Sequence, residues 1–325
     1  MIKQKDDTHL SWTARLLAVP PICVFFLSDI LSWSFAWQGE VPRRASLDAA
    51  ALQLDASGRL LVLAAALVGF GLAYLILLRF AADLRDEFGP DTRAKLLGWY
   101  GGGILLGALW VLFGWMQVPV DGQMGKNSLK GALGLLGPAG GMSGDMLLHR
   151  FEWLALCSRI AFMFAAGAVV IGGISSIVDP AAPFKTEEED YAFQRHQRGR
   201  LRAYVNAAAA LLVVSLIFQI AWTRWLLIGL DPGIATTMGL QVDAFAIFTG
   251  VTGSVVIALF AIPASTILAA RAAALPQMPN AAPDAPLLDT SLLPSLGKIL
   301  PILAPTLAGS LPTILDLVGK LAGGS

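Results

Sequence analysis

The chain has 325 residues, 56% of them hydrophobic and only 14% charged. Soluble domains carry ~25% charged residues, and here the apolar residues come in long blocks, which excludes an ordinary soluble domain and indicates a membrane protein. Basic and acidic residues balance at 23 each, which leaves no electrostatic footprint for nucleic acid.

Lys3, Lys5 and Arg15 precede the first apolar run, residues 16–37. That run is longer than the ~7–15 residues of a signal-peptide core and no clean A-x-A site follows, so it reads as a retained span. Pro20 and Pro21 set its entry turn, and Asp29 lies inside it. Residues 38–59 form a polar connection. Within it Leu47, Ala51, Leu52 and Leu54 predict a weakly amphipathic helix lying on the membrane surface. The second span covers 60–80. Residues 81–95 carry both signs of charge and are broken at Gly89-Pro90.

The third span, 96–116, holds Gly98, Gly102, Gly103 and Gly107 at small-x-x-x-small spacing, which lets helix backbones approach in a bilayer. Packing within one copy is the first expectation, and contact between copies the second. The glycine-rich connection 117–152 is too long for a structureless loop in a compact fold, so an interfacial or re-entrant passage is expected. Asp145, His149 and Glu152 fall on one helical face with the oxygen and nitrogen donors a metal takes. No second histidine or cysteine cluster completes such a site, so no metal is expected.

The fourth span, 153–178, contains Arg159. An arginine in hydrocarbon is costly and marks a functional or pairing position. Just before this span, Gly141-Met142-Ser143-Gly144 resembles the G-x-S-G of rhomboid intramembrane proteases. That family requires a histidine in its sixth span as base, and the corresponding span here has none; Ser143 reads instead as a helix N-cap.

Asp179-Pro180 ends the fourth span. Thr186 and Glu189 form a capping box, with acids first and Arg195, Arg198, Arg200 and Arg202 further along, which suits the helix dipole. One continuous helix is predicted over 187–228, projecting from the membrane and entering it as the fifth span, 203–228, which includes Arg224. After Asp231-Pro232 comes the uncharged sixth span, 244–270, made bendable by Gly250, Gly253 and Pro263. Residues 276–290 are a Pro/Ala-rich linker. Residues 291–325 are apolar but broken by prolines, and end in an amphipathic strip of Leu311, Ile314, Leu315, Val318 and Leu321.

Fifteen of the 23 basic residues fall on the side of the termini, so the positive-inside rule places both termini in the cytoplasm. Seven of the nine tryptophans, Trp153, Trp222 and Trp225 among them, fall toward the other side, where indoles anchor at the interface. Cys23 and Cys157 differ by more than ~10 Å in depth, too far for a disulfide, and read as small buried side chains.

The expected fold is an all-α integral membrane protein. It has a six-span domain (1–275), a cytoplasmic helical extension before the fifth span, a linker (276–290) and an interfacial or partner-docking C-terminal segment (291–325). No catalytic set and no cofactor are expected. The first functional expectation is a non-enzymatic structural or interaction subunit of an inner-membrane complex or homo-oligomer. Membrane lipids and other membrane subunits, or its own copies, would be its partners. Arg195, Arg198, Arg200 and Arg202 would face a partner or lipid. The second is a channel or transporter for a small solute or ion, using an outer-half cluster of Asp29, Arg159 and Arg224.

Overall fold

A computed structural model describes residues 8–9, 16–17, 19–24, 26–27, 49–117, 144–180, 186–273 and 303–310. Five long helices make up nearly all of these: α1 Ala49–Glu87, α2 Pro90–Gln117, α3 Gly144–Ser175, α4 Glu187–Leu226 and α5 Pro232–Ala273. A sixth, α6, covers residues 303–310. Thr8–His9 (β1) and Asp179–Pro180 (β2) form a two-residue antiparallel ladder. Four helical stretches are long and apolar enough to cross a bilayer, namely Ala49–Glu87, His149–Ser175, Glu187–Gly229 and Pro232–Ala273. This all-helical architecture is compatible with a membrane protein.

Each boundary has a local cause. Thr186 accepts a hydrogen bond from the Glu189 backbone N–H, and four acids fill the first turn of α4. This helix runs unbroken to Leu226 and tightens into a 3-10 turn over Leu227–Gly229, as the capping box and charge order predict. Pro90 opens α2, where its missing N–H costs nothing. The Arg93 guanidinium donates to the carbonyls of Arg85 and Phe88, closing the end of α1.

Residues 49–59 depart from expectation. They do not form a separate helix along the surface but extend the second span into a 39-residue helix. No proline interrupts them, Asp55 and Arg59 pair at i, i+4, and Gly58 leaves room for the ring of Trp225.

α4 packs on α1, α3 and α5, and α1 also packs on α3, while α2 lies chiefly on α3. Small residues share the helix contacts with large ones, and many large residues face outward. On α1, Ala65, Ala66, Gly69 and Ala73 face inward, while Leu60, Leu67, Val68 and Leu75 face outward. Lipid removes the hydrophobic drive between helices, so small residues that permit close approach occupy the contacts. Gly172 is the tightest case, since a Cβ there would overlap the ring of Tyr204. Cys23 and Cys157 are free and exposed rather than buried.

The glycine-rich 118–143, the 276–290 linker, Ser143, and the C-terminal segment other than 303–310 lie outside the described residues.

Candidate functional site

Two polar nodes sit at opposite ends of the bundle. The first is built on Arg200. Asp83 and Glu87 stand one turn apart on α1, and His196, Gln197, Arg200 and Tyr204 share one side of α4. Antiparallel packing of the two helices brings these sets together. Arg200 is 3% exposed. Its guanidinium pairs with Glu87 at 2.6 Å and Asp83 at 3.7 Å, and donates to Ser175 Oγ of α3 at 2.7 Å. Its Cζ lies 5.0 Å from the ring centre of Phe88. Tyr204 Oη donates to Asp83 at 2.7 Å, and Arg79 lies over the Tyr204 ring. His196 Nε2 is 3.0 Å from Glu87 Oε1. Arg271 of α5 donates to the carbonyls of Ile177 and Val178 at the end of α3. One node thus ties α1, α3 and α4, and Arg271 adds α5 beside it.

The second node is built on Asp55, which is 5% exposed. It accepts from Trp225 Nε1 at 2.7 Å and pairs with Arg59 at 2.6 Å. Trp225 also joins Phe151 and Trp222 in a cluster of tilted and edge-on rings, with Phe151 and Trp225 ring centres 4.7 Å apart. Trp222 and Trp225 are therefore buried in the bundle and not interfacial anchors, because each packs its ring against α3 and Trp225 also uses its N–H inside. Trp153 does face outward.

The spacing of the nodes follows the bilayer. Asp55 to Asp83 is 28 residues of α1, and Arg200 to Trp225 is 25 residues of α4. At ~1.5 Å per residue these are ~42 Å and ~38 Å, close to the ~40–45 Å of a bilayer with its head groups. Between the nodes both helices are largely apolar.

The predicted site residues fare differently. Arg200 does not face a partner or lipid: it is turned into the bundle, because its place on α4 coincides with the buried run of Gln197, Leu201 and Tyr204. Arg195 and Arg202 are exposed, and Arg198 is half-buried. Arg224 pairs with Asp243 of α5 at 2.7 Å. Arg159 is half-buried on α3, and Asp29 lies outside the described residues. A Cβ on Gly107 would overlap the Met163 side chain. Gly98, Gly102 and Gly103 instead face open space, with no neighbouring atom where a Cβ would stand.

His149 Nε2 accepts from Trp153 Nε1. Among the described residues no group of three His, Cys, Asp or Glu gathers as a metal would require. Sequence reasoning missed Asp83, Glu87 and Asp55. The legible signal was the i, i+4 series Arg79, Asp83, Glu87, a single polar face on a helix leaving the membrane.

No protein-family model, curated protein or solved structure matches the chain.

Proposed function

We propose that the chain is a non-enzymatic, multi-pass subunit of an inner-membrane complex or homo-oligomer. In this reading the first and third apolar runs join the four long helices as a six-span domain, with the Arg200 end in the cytoplasm. The observation that supports it is that the charges sealed inside the bundle, Asp55 and Arg200, are matched to partners in the same chain. Such charges hold helices in register rather than await a substrate. Gly98, Gly102 and Gly103 on α2 offer a close-approach face to another membrane helix or a second copy. Arg195 and Arg202, exposed beside the membrane entry of α4, suit anionic head groups or a cytoplasmic partner.

Native mass spectrometry of the protein extracted with its lipids tests this reading. A complex of defined stoichiometry that weakens with Gly102→Leu is the expected result, and a lone monomer under every extraction condition would overturn it. A channel or carrier is the second reading, favoured by Arg159, which stands half-buried in the apolar part of α3. Solute or ion flux in vesicles that is lost in Arg159→Gln would decide for it.

A further inference from the structure

Helix α6, residues 303–310, lies on α5 along a strip of small residues. A Cβ on Gly250 would overlap the Pro305 carbonyl, and a Cβ on Gly309 would overlap the Ala246 carbonyl. Ser254 Oγ and Thr306 Oγ1 are 2.6 Å apart, the Thr306 N–H donates to Ser254 Oγ, and Thr306 Oγ1 donates to the Gly250 carbonyl. Small residues at the contact with hydroxyls bonded across it are how helices associate in lipid. The outward side of α6 agrees, since Leu303 and Leu307, one turn apart, are 45% and 50% exposed.

The register also fixes a direction. Pro305 and Thr306 meet Gly250 to Ser254, while Gly309 meets Ala246 and Ile247. The segment is therefore antiparallel to α5. Along α5, Ser254 stands ~24 Å and Ala246 ~36 Å from Ala270, so in a core of ~30 Å these residues lie toward the face remote from Ala273. The chain leaves α5 at the Arg200 face, where Arg271 binds the end of α3, and by residue 310 it has travelled to the Trp225 face. At the other terminus, Thr8 and His9 pair with Asp179 and Pro180, just beyond Val178, on the Arg200 face.

We propose that the C-terminal segment is a further, proline-broken crossing of the membrane, seated on the Gly250–Gly253–Ser254 strip of α5, which carries the chain beyond Ser310 to the face opposite the N-terminus. This replaces the expectation of an interfacial segment with both termini on one side. The inference rests on the spanning reading of α4 and α5, and the experiment separates the two.

In the full chain with Cys23 and Cys157 replaced by serine, single cysteines are placed by Glu188→Cys, Asp231→Cys and Ser325→Cys. Sealed cells or right-side-out vesicles are labelled with a membrane-impermeant maleimide, before and after permeabilisation. The expected result is that Ser325→Cys labels together with Asp231→Cys, while Glu188→Cys labels only on the other side. Labelling of Ser325→Cys with Glu188→Cys would overturn the proposal while leaving the spanning reading intact. Labelling of Glu188→Cys and Asp231→Cys from one side would overturn both. The double variant Ser254→Cys/Thr306→Cys should cross-link in the membrane on mild oxidation, and absence of that cross-link in correctly inserted protein would also overturn the proposal.

Discussion

Arg200→Met is the most informative perturbation of the bundle. The side chain is replaced by an apolar one of comparable length, so packing against Phe88 is largely kept while the charge is lost. What disappears is the pair with Glu87 at 2.6 Å, the longer pair with Asp83 at 3.7 Å and the bond to Ser175 at 2.7 Å. Removing one partner of a buried ion pair costs ~3–5 kcal/mol, mostly because the other charge is left uncompensated. Asp83 and Glu87 retain 16% and 23% exposure of their side chains, so part of their hydration returns. That lowers the expectation to about 2–3 kcal/mol, a fall of roughly 30- to 150-fold in the folded-to-unfolded ratio. Arg200→Lys should recover only part of this, since a single ammonium cannot reproduce the separate guanidinium bonds to Glu87 and Ser175. The triple variant Asp83→Asn/Glu87→Gln/Arg200→Met should be more stable than Arg200→Met alone, because no carboxylate is stranded. Reversible unfolding in mixed micelles, followed by helix circular dichroism, measures all three. If Arg200→Met unfolds within ~0.5 kcal/mol of the parent, or the triple variant is no better than the single one, the node is not the clasp described above.

At the opposite node, Trp225→Phe keeps an aromatic ring against Phe151 but removes the N–H donated to Asp55, a loss of ~1–3 kcal/mol that the same unfolding experiment would read. Gly172→Ala drives a methyl into the Tyr204 ring and should destabilise by ~1–3 kcal/mol. Gly98→Ala meets no neighbour and should leave the monomer unchanged or up to ~1 kcal/mol more stable, so equal effects of the two substitutions would contradict the packing. Arg224→Ala breaks a pair in which Arg224 is half-exposed, and should cost no more than ~1 kcal/mol in a double-mutant cycle with Asp243→Ala. Gly250→Leu should abolish the Ser254→Cys/Thr306→Cys cross-link while leaving the helix content of the rest of the chain intact, as judged by circular dichroism.

Sequence alone determined the features that depend on local chemistry. Blocks of apolar residues longer than a bilayer is thick mark the spanning helices, because a lipid-exposed backbone must satisfy its own hydrogen bonds. Thr186 and the acids after it mark a helix start, because capping is settled within one turn. Tertiary structure alone decided which polar residues meet. Arg200 resembles its neighbours Arg198 and Arg202 in composition and position, and only the packing of α1 against α4 turns it toward Asp83 and Glu87. Trp225 looks like an interfacial anchor until Gly58 and Asp55 of α1 are found beneath it. The cluster of Asp29, Arg159 and Arg224 was inferred from shared depth, but depth does not specify azimuth, and Arg224 bonds to the helix that follows it. The same holds at the C-terminus. Its prolines argue against a straight span when read in sequence, yet the glycines of α5 accept the short helix that carries Pro305, a match made by surfaces some fifty residues apart.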